Sequence, residues 1–65
     1  MSWSGKQLVR LLEANGWILD RIQGSHHIME KPGYRPVIVP MHGNKDIQPH
    51  FAKSILKQAG LKDMF

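Results

Sequence analysis

The chain has 65 residues, 42% of them hydrophobic, no cysteine, and nine Lys and Arg against five Asp and Glu, for a formal net charge of +4. A chain this short hides only about 60% of the surface it would expose unfolded, so one small core is expected, with no room for a second domain or a cofactor fold. Without cysteine there is no disulfide framework or thiolate metal site, no apolar run nears the roughly 18 residues of a membrane span, and the positive balance favours a polyanionic partner.

Ser4-Gly5-Lys6-Gln7 has the form of a capping box, with Trp3 and Leu8 where a hydrophobic staple would stand. Leu8, Leu11 and Leu12 recur at helical spacing, and Asn15-Gly16 closes this first helix. Trp17 to Ile22 is rich in aromatic, β-branched and aliphatic residues and predicts a strand. Gly24-Ser25 breaks the run, and His26 to Glu30 resumes it as an antiparallel partner. Lys31-Pro32-Gly33-Tyr34-Arg35 is a second turn, because Pro fixes φ and Gly supplies a positive one. Pro36 to Pro40 is the third strand, and its flanking prolines suit a sheet edge.

Met41 to Ile47 predicts a polar loop holding His42, Gly43, Asn44, Lys45 and Asp46, and Pro49 begins a second helix over about Gln48 to Gln58. Ala52, Ile55, Leu56 and Ala59 form its apolar stripe, Gly60 follows the cap, and Leu61 folds back on Leu56. Lys62 to Phe65 predicts a short tail. The expected fold is α+β in the order α-β-β-β-α: one domain over residues 1–65, a three-stranded antiparallel sheet, both helices on one face and the other face bare.

Gly24-Ser25-His26-His27 carries the most chemistry. Imidazole, with an unperturbed pKa of ~6.5, both accepts and donates protons near neutrality, and RNA is cut without a metal when such a group moves the 2′-OH proton. Gly24 and Ser25 would let the backbone approach a phosphate, and Lys45, Arg21 and Lys31 are the candidate cations. The rival reading of His26 is a surface histidine with no task. His27 alternates to the opposite sheet face and, pointing inward, would be a hydrogen-bonded, partly buried residue. His42 follows the third strand and would lie near the second, either in the site or bonding a loop carbonyl; His50 is expected at the surface.

The four histidines show neither an i, i+4 pair nor a thiolate companion, so no metal site and no cofactor are expected. Ser25 beside His26 lacks the strand-to-helix elbow of a hydrolase nucleophile. Trp3 and Trp17 suit the core, whereas Tyr34 beside Arg35 is either a base-stacking residue or an exposed turn residue. The start, Met1-Ser2-Trp3-Ser4-Gly5, lacks a basic region followed by an apolar one, so a cytoplasmic protein is expected.

Four segments in this order, Leu11-Leu12-Glu13-Ala14-Asn15-Gly16-Trp17, Gly24 to Met29, Val37 to His42 and Ile55 to Leu61, resemble the HicA family, the mRNA interferase toxins of bacterial HicAB toxin–antitoxin pairs. The resemblance implies a fold similar to a double-stranded-RNA-binding domain, ribosome-independent cleavage of mRNA, and a cognate HicB antitoxin that covers the active histidine. It places the family's catalytic histidine on His26, its motif glycine on Gly24, and the histidine after Val-Pro-x on His42. Relatives usually carry Gly-Thr at the start of the last helix, where this chain has Gln48-Pro49-His50-Phe51. The expectation is a metal-independent endoribonuclease toxin. The alternatives are a non-catalytic double-stranded-RNA-binding module and an interaction domain whose basic surface meets an acidic protein.

Overall fold

Ser4 and Gln7 close both arms of the capping box. In the structure, a computed structural model that describes residues 3–43, 45–61 and 63, the Ser4 N–H donates to Gln7 Oε1 at 2.9 Å and the Gln7 N–H to Ser4 Oγ at 3.1 Å. Asn44 of the predicted loop, Met1 and Ser2 at the start, and Lys62, Met64 and Phe65 of the predicted tail lie outside the described residues. The box starts helix α1 (Gly5–Ala14), which is preceded by a short strand β1 (Trp3–Ser4). Replacing Ser4 with Ala removes the acceptor of the Gln7 N–H in the first turn and is expected to cost about 1 kcal/mol. A thermal melt followed by circular dichroism checks this, with a drop of roughly 4–8 °C expected for a chain of this size.

Both helices end in the same way. After α1, the Gly16 N–H donates to Glu13 O and the Trp17 N–H to Leu12 O. After α2 (Pro49–Gln58), Gly60 donates to Lys57 O and Leu61 to Leu56 O at 2.7 Å, the paired bonds of a Schellman ending, and Leu61 packs on the core as expected.

Strands β2 (Ile18–Gln23), β3 (His26–Glu30) and β4 (Val37–Pro40) form one antiparallel sheet in the order β2-β3-β4. Trp17 stays outside β2 because its N–H closes the end of α1, and its ring is buried in the core instead. Pro36 stays outside β4; it has no N–H for a ladder. A register shift between Leu19 and Arg21 makes Asp20 the extra residue of a bulge.

Cross-strand partners share a face, so the pairs Leu19↔Met29↔Val37 and Ile22↔His27↔Val39 mark one side of the sheet. Arg21↔Ile28↔Ile38 and Gln23↔His26↔Pro40 mark the other. Met29, Val37 and Val39 belong to one buried cluster with Leu8 and Leu12 of α1 and Ala52, Ile55 and Leu56 of α2. Both helices therefore cover the first face, and the face carrying His26 has no helix over it. This is the expected α-β-β-β-α arrangement.

The stretch predicted as a polar loop, Met41 to Ile47, needs a correction at its end. Asp46–Ile47 is a fifth strand, β5, paired antiparallel to β1 through Trp3↔Ile47 and Ser4↔Asp46. Two residues are too few to show alternation, and only the burial of Ile47 reveals their role. Among the described residues no helix is long and apolar enough to cross a membrane.

Candidate active site

The site begins at a two-residue turn. Gln23 and His26 are the last paired residues of the β2–β3 hairpin, and Gly24 between them has φ +58°. No other residue type among those described adopts a positive φ, so Gly24-Ser25 has the Gly-first order of a type II′ turn, whose twist matches the flanking strands. A Cβ on Gly24 would meet nothing within 4 Å; the glycine is required by its dihedral angle, and its backbone faces open space.

His26 is exposed as the first residue of the central strand, opposite Pro40. The Ser25 carbonyl accepts from the Met41 N–H at 2.6 Å, fastening the turn to the segment that leaves β4. One residue further stands His42, and the Lys45 N–H donates to the His42 carbonyl at 3.2 Å, which brings Lys45 back to the same place. His26, His42 and Lys45 thus line one groove of about 640 Å³ between β4 and α2. Ile38 and Pro40 form its sheet wall, and Phe51 stands on the helix side.

The other candidates lie elsewhere. Arg21 shares the outer face with His26, but its guanidinium is held by Asp20 at 2.5 Å and it does not line the groove. Lys31 follows the opposite end of β3, where its Nζ donates to the Asn15 carbonyl at 2.9 Å and stands 5.2 Å from the centre of the Tyr34 ring. It ties the end of α1 to the β3–β4 turn. Tyr34 packs its ring against Trp17, with centroids 5.4 Å apart, at that same far end. His50 is exposed in the first turn of α2. Among the described residues no three His, Cys, Asp or Glu side chains gather as a metal site.

His27 points inward and is half-buried, as expected, but the expected hydrogen bond is missing: its Nδ1 is buried with no partner among the described residues. An unsatisfied buried polar atom costs more than an apolar one in its place. His27→Leu is therefore expected to melt no lower than the parent and up to about 1 kcal/mol more stable, measured by urea unfolding. The same change at exposed His26 has no such stabilising effect, so the two adjacent histidines separate by experiment.

Residues 5–61 match the protein family described as HicA toxin of bacterial toxin-antitoxin. The chain belongs to the HicA toxin family. A chain of the solved structure described as a toxin-antitoxin complex from Streptococcus pneumoniae is similar to this HicA chain, with a TM-score of 0.78 and 41% identity over 89% of this chain and 97% of that one. Comparison with curated proteins found no match.

In this HicA chain, the segment Gly24 to Met29 is the hairpin turn and β3, and the segment Val37 to His42 is β4 with the loop fastened to that turn. The unusual stretch Gln48-Pro49-His50-Phe51 still starts a helix: Phe51 and Ala52 both donate to the Gln48 carbonyl, at 3.0 and 2.9 Å. Phe51 was not among the site residues expected from the sequence. The available signal was an aromatic in the first turn of α2, one residue before the buried stripe that starts at Ala52 and thus at its margin.

Proposed function

We propose that this HicA toxin is a metal-independent endoribonuclease that cuts mRNA through His26 and is held in check by a HicB-like antitoxin that covers this histidine. The carrying observation is an exposed imidazole on the helix-free sheet face, in a groove shared with a second imidazole and a cation, His42 and Lys45. In the proposed reaction a base takes the proton of a ribose 2′-OH and the freed oxygen bonds to the adjacent phosphorus. The bond from phosphorus to the 5′-oxygen then breaks, leaving a cyclic phosphate, and that oxygen gains a proton from an acid.

His26 serves as one of these groups, and His42, which lines the same groove, is the candidate for the other. Lys45 offsets the charge that develops on the phosphate oxygens, and the open backbone of Gly24 and Ser25 lets the strand come close. Arg21, on the outer face, has its charge offset by Asp20, and Lys31 acts on structure, so neither serves the phosphate directly. The whole of residues 1–65 works as one domain, in the cytoplasm, where messenger is translated. A partner antitoxin is supported by the complex in which the similar chain was solved.

Inducible expression of the parent and of His26→Ala, with mapping of cut transcripts, tests the proposal. A non-catalytic double-stranded-RNA-binding module would leave transcripts whole in both strains.

A further inference from the structure

We infer that the groove between β4 and α2 is a nucleobase site: it takes a base of single-stranded RNA next to the cleaved phosphate, with the ring against Phe51 and Ile38. This rests on the reading of the chain as a ribonuclease. The groove runs from Pro36 along β4 to Pro40, and its Pro40 end is the end that holds His26, His42 and Lys45. Its middle is apolar. Ile38 is 52% exposed and Phe51 43%, two large hydrophobic side chains left in solvent by a chain with a small core.

That division of chemistry follows a nucleotide's own. The phosphate belongs at the end with the cation and the imidazoles, and the flat base belongs on the aromatic and aliphatic surface beside it. Stacking on an aromatic ring is open to every base and needs the base free of a duplex, so the occupant is a single strand. Two amides stand along the groove to meet base edges. Gln48 caps no backbone group, and the Gln58 amide makes only a 3.4 Å bond to Ser54. Phe51 and Gln58 are seven residues apart, two helical turns on the same side of α2. Asp46 is the only carboxylate among the described residues that line the groove, and the chain as a whole carries a net charge of +4, which favours an anionic strand over an acidic or neutral peptide.

The experiment is binding of a mixed-sequence 12-nucleotide RNA in which every ribose is 2′-O-methylated, so that no cleavage occurs, followed by fluorescence anisotropy across a salt series. Phe51→Ala is expected to bind about 5- to 100-fold more weakly than the parent with an unchanged salt slope, because a stacked base is lost and no charge. Phe51→Trp is expected to restore affinity. A backbone oligomer without bases should bind Phe51→Ala and parent alike. Phe51 is partly exposed, so a melting curve close to the parent's confirms that the variant is folded.

Equal affinity of parent and Phe51→Ala for the methylated RNA overturns the base site, whatever the His26 variant does. So does an equal loss for the base-free oligomer, or a defect in antitoxin binding alone, which would make the groove a peptide site. Transcript cleavage by His26→Ala at the parent's rate overturns the catalytic reading and leaves the binding measurement standing.

Discussion

His26→Ala is expected to abolish growth arrest and to slow transcript cleavage by about 10²–10⁴-fold, the range lost when one positioned proton-transfer group is removed. The loss falls on rate and not on folding. His26 is exposed and buries nothing, so its truncation should change stability by no more than about 0.5 kcal/mol, and RNA should still bind through Lys45 and the outer face. Purified parent and variant are compared on one transcript with matched melting curves. Cleavage by the variant within about threefold of the parent would remove His26 from the mechanism, because a proton-transfer group cannot be lost so cheaply. If His42→Ala instead carried the large loss, the second imidazole of the groove would take over the role.

Gly5→Ala is expected to be the most damaging conservative change for stability. Gly5 is buried at the first turn of α1, and a Cβ there would lie 2.5 Å from the Pro40 carbonyl oxygen and 2.7 Å from Met41 Sδ. The methionine sulfur can swing away. The carbonyl cannot, because it belongs to the end of β4, whose Pro40 is paired with His26. Overpacking costs about 1–3 kcal/mol, and contact with backbone puts this case at the upper end, out of a total of about 3–10 kcal/mol expected for 65 residues. The melting temperature should fall by roughly 12–24 °C. Cleavage should fall as well at a temperature where the variant is still folded, since the displaced segment carries His42. A melting temperature within a few degrees of the parent's would show that the helix start is not pinned against β4.

Much of this architecture was legible because several of its signals are local. The box of Ser4 and Gln7, the glycines after each helix and the Pro32-Gly33 turn each depend on residues within a few positions of one another. The structure reproduces them, down to the Tyr34 N–H donating to the Lys31 carbonyl. Alternation also placed His26 and His27 on opposite faces, as the register has them.

What escaped was non-local. The β1–β5 pairing joins residues far apart in the chain, and no window of sequence contains both strands. Lys31 and Arg21 were candidate cations because charge and strand position say nothing of which partner a long side chain will find. Asn15, 16 residues away in sequence, claims Lys31, whereas Asp20 claims Arg21 from the adjacent position, a local pair that charge pattern alone did not single out. Tyr34 was the aromatic considered for stacking, yet the aromatic that lines the groove is Phe51, because a groove wall made by a strand and a helix emerges only when the two are packed together.

The pairing of Trp3 with Ile47 also has a consequence in time. Contacts that span most of a chain form late, since the intervening loop must close before they contribute. Trp3 therefore stays without its strand partner in a polypeptide still threading out of the ribosome until Ile47 has emerged. The groove wall that carries Phe51 lies later still, on α2, so the cleft can close only once almost the whole sequence is free to pack.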